Sequence, residues 1–483
     1  MRLEDFLNRH GLQTDPFASA EEAQGDEVLV RLYQHSPSPY GHPEWSKFCG
    51  SPPGNQSSIV FGFKGSGKTA MRLALAEAIA RHNEANPGDR TLLVPYEDFN
   101  AYIENWRLAM EQSNRRKRRG GVSLDSGGAY RQYWTLAHHL DAIVAQAVAE
   151  LVAEVCDGRQ LIKWPEHVRY DLLFLAAVFL TEHTLDYRRT ITELYTRLWG
   201  GWGRRSEKMR NGALAIGTLG LRPAMRSAKV RAIARRLGKT VQVIDHDRAN
   251  LAWALKRIPA GYLATQPLVL RSVRSTSENA RFETLEKVLR IARVMDYARV
   301  AVVIDKVDEP TLINGDYNRM GDFIVPLWNN KVLQTSGINL KMLLPAQIYD
   351  RVRKADAQLL NTARLDKANI IHPLTWSGEH LYEMLAERAS ACRLDNPGEP
   401  FDLQQLFAPE VSREMVVNEL AKLRLPRHAG KFMHRCLCEG CTSIMPGSLD
   451  PNELPVIPEH VFHKVSERFE TELENYTRDL QEY

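Results

Sequence analysis

Eight consecutive residues, Gly62-Phe63-Lys64-Gly65-Ser66-Gly67-Lys68-Thr69, follow an apolar run and open a helical pattern, TAMRLALAEAIA. Their spacing is G-x-x-x-x-G-K-[ST]. In that pattern glycines let the backbone curl until successive N–H groups point at phosphate oxygens. The positive end of the following helix adds to the attraction. Lys68 is placed to reach the β- and γ-phosphates, as binder and as catalytic cation, and the Thr69 hydroxyl to ligate magnesium. The run from Gly62 through Ala70 is thus expected to hold a nucleotide, ATP with Mg2+.

A second run carries the complementary chemistry. Val300-Ala301-Val302-Val303-Ile304 reads as a buried strand that ends in Asp305, followed by Lys306-Val307-Asp308-Glu309. A carboxylate at the carboxyl end of such a strand can hold the magnesium shell, which assigns Asp305 to the metal. A further carboxylate a few residues on can orient and deprotonate an attacking water, and both Asp308 and Glu309 are offered for that role.

Two basic blocks and a cysteine cluster remain. Arg204 to Lys239 contains eleven Lys or Arg and one acid, Glu207, while Arg115-Arg116-Lys117-Arg118-Arg119 runs into a glycine-rich loop. Such density neutralises phosphates, so DNA or RNA is one expected partner, bound largely without regard to sequence. A subunit or partner-protein contact and a merely solvated surface are the other readings. His434-Arg435-Cys436-Leu437-Cys438-Glu439-Gly440-Cys441 gathers ligand-type residues. Zinc needs three or four in tetrahedral geometry, but Cys436 and Cys438 cannot share a helix face. Buried, reduced cysteines are the favoured reading.

The elements that position these groups are legible too. A chain of 483 residues suggests roughly two to four domains. Its 44% hydrophobic and 25% charged residues are ordinary for a globular protein, and a net charge of +4 implies no partner by itself. The start, MRLEDFLNRHGLQTDPF, lacks a secretory apolar core, and the longest apolar run, Leu172–Leu180, is too short to span a bilayer. Six cysteines, three crowded together, do not make a secreted disulfide framework, so a cytoplasmic protein without membrane contact is expected.

Ser58–Phe61, Thr91–Pro95, Val300–Ile304, Leu340–Leu344 and Asn369–His372 have strand character. Ala70–His82, Trp134–Val155, Leu285–Met295 and His428–Cys438 have helical patterns. Short buried strands alternating with helices predict an α/β fold with a parallel sheet covered on both faces. The divisions expected are an N-terminal segment at 1–57, the first part of the core at 58–100, and a mostly helical basic insertion at 101–284. The second part of the core follows at 285–373, and a C-terminal helical lid at 374–483.

The two phosphate motifs together resemble those of P-loop ATPases of the AAA+ and STAND type, the group that includes origin-recognition and NACHT-like signalling ATPases. STAND members follow the apolar run with Asp, a small residue, an apolar residue, Asp and Glu; here Lys306 replaces the small residue. Ala363-Arg364-Leu365-Asp366-Lys367 is similar to the arginine-finger segment. The resemblance implies that Arg364 reaches the γ-phosphate of a neighbouring subunit. Leu425-Pro426-Arg427 resembles the sensor arginine of the lid, Gln347 a second sensor, and Asp15-Pro16-Phe17 the segment that lies against adenine. The likeness covers residues 1–100 and 285–440. Together with the basic blocks it implies a homo-oligomeric, nucleic-acid-associated ATPase, and the likeness alone implies bacterial anti-phage defence as one setting. The other implied role is an ATP-controlled signalling scaffold that regulates an effector protein without binding nucleic acid.

Overall fold

The computed structural model describes residues 1–18, 23–35, 41–100, 102–103, 134–158, 164–180, 186–199, 250–251, 253–259, 262–263, 278–311, 313–355, 369–394, 399–445 and 453–481. In chain order the helices and strands are α1 (Leu3–Arg9), α2 (Glu27–His35), α3 (Trp45–Cys49), β1 (Ser58–Gly62), α4 (Lys68–Ala85), β2 (Arg90–Tyr96), α5 (Leu136–Cys156) and α6 (Glu166–Phe179). Next come α7 (Glu278–Val294), β3 (Tyr297–Ile304), α8 (Tyr317–Ile324), α9 (Asn330–Leu333), β4 (Ile338–Pro345), α10 (Ala346–Ala355) and β5 (Asn369–Ile371). The chain closes with α11 (Gly378–Ala391), α12 (Arg413–Leu423), α13 (Pro426–Ser443) and α14 (Glu459–Gln481). Residues 187–199 are also helical.

The strands form one five-stranded parallel sheet in the order β2-β3-β4-β1-β5. The mixed α/β class and the parallel sheet are therefore as expected. β1 runs beside β5 with Ser58 opposite Asn369 and Val60 opposite Ile371. β2 runs beside β3 with Leu92 opposite Val300 and Tyr96 opposite Ile304. β1 is buried along its whole length, as a parallel strand covered on both faces must be.

Two compact units divide the chain. The first comprises Met1–His82, Met342–Asp350 and Ala368–Tyr483; the second comprises Asn83–Lys341 and Arg351–Lys367. The division passes through β4.

In the first unit the C-terminal helices have clear local causes. Ser377 caps α11 and Ser412 caps α12, each accepting a backbone N–H with its side chain. Arg424 ends α12 in the left-handed region, and Pro426 then starts α13 at a position where its missing N–H costs nothing. The N-terminal segment joins this unit through a buried ion pair. Arg388 of α11 donates to Asp26 Oδ2 at 2.8 Å and to the Pro16 carbonyl at 2.8 Å.

In the second unit α5 begins with a reciprocal cap between Thr135 and His138. Arg281 of α7 donates to Asp141 of α5 at 3.0 Å, an ion pair enclosed in the core. Asp171 of α6 accepts from Tyr262 and pairs with Arg290 at 3.1 Å. The described residues of 101–284 are largely helical.

Candidate functional site

The turn between β1 and α4 takes its shape from glycines. Gly65 and Gly67 sit at φ +88° and +92°, a region L-residues enter only with strain. At Gly62 the demand is space: a Cβ there would fall 2.3 Å from Ser66 Oγ. The Ser66 amide donates to the Phe63 carbonyl at 3.1 Å, closing the turn, and the Met71 amide donates to Gly67 at 2.9 Å, starting the helical ladder. Lys68, first residue of α4, bends back so that its ammonium donates to the carbonyls of Gly62 at 2.8 Å and Phe63 at 2.9 Å. Phe63 and Lys64 are exposed on the outside of the turn, and Thr69 and Ala70 are half-buried.

Three side chains from distant sequence brace this turn, all within the first unit. Trp376 Nε1–H donates to the Ser66 carbonyl at 3.0 Å. Tyr33 O–H donates to the Ala70 carbonyl at 2.9 Å. Arg427, second residue of α13, lies directly on the loop. Its Cβ would come 3.0 Å from a Cβ at Gly65, and its amide faces the Gly65 carbonyl at 3.4 Å. The sensor candidate of the sequence is therefore a neighbour of the Gly62–Thr69 turn. Trp376 and Tyr33 carried no sequence signal, because their roles come from contacts far along the chain. Ser66 Oγ is buried with no hydrogen-bond partner among the described residues, a polar atom at the centre of the cradle.

The acidic run forms a tight turn at the end of β3 in the second unit. Asp305 is 3% exposed, and its Oδ1 accepts from the Lys306 amide at 2.9 Å. Lys306 stands at φ +59°, and the Glu309 amide donates back to its carbonyl at 3.2 Å. Lys306 Nζ lies 3.9 Å from Glu309 Oε2. Burial pushes the Glu309 carboxyl above its usual range; Lys306 opposes this, while Asp308, Asp305 and Glu97 add to it. Asp308 and Glu309 are both exposed.

Glu97 follows Tyr96, the last residue of β2, whose hydroxyl donates to the buried His139 Nδ1 at 2.9 Å. His139, held neutral by burial with its pKa pushed down to about 3, fixes that strand end. Nearby, the Thr311 amide donates to Asn100 Oδ1 at 3.0 Å, tying the loop after β3 to the loop after β2.

The donor types suit the expected groups. Thr69 in the first unit and Asp305 in the second each carry a hard oxygen of the kind magnesium takes. The cradle of glycine amides and a lysine suits a polyphosphate. No group of three His, Cys, Asp or Glu able to hold a metal occurs among the described residues, and the expected pair of Thr69 and Asp305 is not such a group.

Other expected features are placed as follows. Gln347 is half-buried in the first turn of α10. In Asp15-Pro16-Phe17 the Phe17 side chain is buried and its amide donates to Asp15 Oδ1 at 2.8 Å. Cys436 and Cys441 are buried and Cys438 is half-buried. Arg364, Arg115–Arg119 and Arg204–Lys239 lie outside the described residues. No helix among the described residues is long and apolar enough to cross a membrane.

No protein-family model, curated protein or solved structure matches the chain.

Proposed function

We propose that the chain is an ATPase of the AAA+/STAND type, which binds ATP with Mg2+ at Gly62–Thr69 and hydrolyses it. The observation that carries this reading is the turn itself. Two positive-φ glycines, the Lys68 ammonium on the carbonyls of Gly62 and Phe63, and Arg427 packed on Gly65 converge on one strand-to-helix junction. On triphosphate binding, Lys68 exchanges those two carbonyls for phosphate oxygens, which are stronger partners because both groups are charged. Thr69 and Asp305 would be the residues to hold magnesium, and the chemistry it would supply is charge neutralisation on the phosphates. Glu309 takes the proton of the attacking water. Its raised pKa makes it a stronger base than an ordinary carboxylate.

In this reading the C-terminal helices act as the lid, Arg364 serves a neighbouring subunit of a homo-oligomer, and the basic blocks 115–119 and 204–239 contact nucleic acid. Such a device would suit bacterial anti-phage defence.

The test is titration of a fluorescent ATP analogue against the wild type and Lys68→Ala. Charge-assisted bonds of this kind are worth about 1.5–3 kcal/mol, so the variant should bind about 10- to 100-fold more weakly. Equal affinity would remove the reading. ATPase rates with and without duplex DNA at two salt concentrations then separate a nucleic-acid motor from an ATP-controlled scaffold, whose rate DNA does not change.

A further inference from the structure

Helix α13 begins at the phosphate-loop turn and carries a second constellation farther along. Eleven residues after Arg427, about 16 Å along a helix, stands Cys438. His434 lies one turn earlier on the same face. The Cys438 sulfur is 3.6 Å from His434 Nε2, and His434 Nδ1 is 2.6 Å from Asp15 Oδ2. Asp15 is itself fixed, because its other oxygen accepts the Phe17 amide at 2.8 Å. With Nδ1–H donating to Asp15, the imidazole presents the Nε2 lone pair to the thiol. A thiol, a base within reach and a carboxylate that orients the base are the parts of an activated nucleophile.

We propose that Cys438 is a base-activated thiol, served by His434 and Asp15, that reacts with hydroperoxides. The sulfur attacks one peroxide oxygen, forming an S–O bond as the O–O bond breaks. The thiol proton passes to His434 Nε2 and from there to the departing oxygen, which leaves as water or an alcohol. Cys438 is oxidised by two electrons to the sulfenic acid, and the peroxide is reduced.

Two facts define how the thiol works. Burial, and then the Asp15 charge, hold the Cys438 thiol above its ordinary pKa, so it rests protonated and depends on His434 within the reactive step. Cys438 is also accessible, whereas Cys436 and Cys441 are enclosed, with the Cys441 thiol pushed up to about 11, chiefly by burial. The chemistry is independent of nucleotide.

The full-length protein is exposed to hydrogen peroxide at neutral pH, the sulfenic acid is trapped with dimedone, and each cysteine is quantified by peptide mass spectrometry. Cys438 should carry the adduct, and Cys438→Ser should abolish it. His434→Gln and Asp15→Asn should each slow its formation, the former by about 100-fold, as loss of a general base does. Cys436 and Cys441 report on folding in the same digest. Silence at both shows that the fold is intact, and their labelling in one variant leaves the other to decide. Modification mainly at another cysteine would overturn the proposal. So would an unchanged rate at Cys438 in a variant whose buried cysteines stay silent.

Discussion

Replacing Arg427 by methionine isolates its charge from its packing. The stem of Arg427 covers the Gly62–Thr69 turn, with Cβ 3.0 Å and Cδ 3.3 Å from where a Cβ on Gly65 would stand. Methionine keeps an unbranched apolar stem of similar reach over Gly65, so the turn should hold its shape while the guanidinium is lost. If that guanidinium binds the γ-phosphate, the variant loses a charge-assisted contact worth about 1.5–3 kcal/mol, equivalent to about 10- to 100-fold in affinity. The loss should fall on the triphosphate, because a diphosphate offers no γ-phosphate to bind. Competition titrations with ATP and ADP in the presence of magnesium read this directly. The ratio of the two dissociation constants should change by that factor while ADP affinity stays nearly constant. An equal loss for both nucleotides would make Arg427 a packing element of the turn, and no loss for either would leave it no part in binding. Both results refute the assignment.

Further outcomes follow from the acidic turn and from the first unit's core. A base must be ionised, so turnover should fall as pH drops through the raised Glu309 pKa. Asp308→Asn removes a neighbouring negative charge and should move that acid limb to lower pH, whereas Lys306→Ala removes the opposing cation and should move it higher. A pH–rate profile that ignores both substitutions would exclude Glu309 as the base. Asp26→Ala should cost about 3–5 kcal/mol of stability in denaturant unfolding, since it strands the enclosed Arg388 charge, and the α2 cap adds about 1 kcal/mol. Adding Arg388→Met should recover most of the ion-pair part; a double variant as unstable as the single one would contradict this.

The parts of the molecule legible in sequence are those with local causes. β3 was readable as Val300–Ile304 because a strand buried on both faces has no alternation to obscure, and it extends only three residues earlier, to Tyr297. The turn at Gly62–Thr69 was readable because its backbone demands glycines at fixed offsets. Strand order was not legible, since nothing within β4 specifies its sheet neighbours. Nor was the bracing of the turn by Trp376, which lies 310 residues from Ser66 in sequence. The cysteine cluster shows the same limit. Within the helix, His434 and Cys438 could be weighed only as metal ligands or as part of a buried, reduced cluster; the group that orients His434 is Asp15, 419 residues away.

Lys306 has a physical role of its own in the turn after β3. The small residue expected after Asp305 suits a backbone at φ +59°, which a lysine enters at a cost of about 1–2 kcal/mol. The strain accompanies the bond from its amide to Asp305 Oδ1, which fixes that carboxylate at the strand end. It also sets an ammonium 3.9 Å from Glu309, opposing the burial and the three carboxylates that raise the Glu309 pKa. Glycine at 306 would relieve the backbone and remove that cation together. The Glu309 carboxyl would then titrate higher. Lysine at this position therefore couples backbone strain to a cation that opposes the rise in the Glu309 pKa.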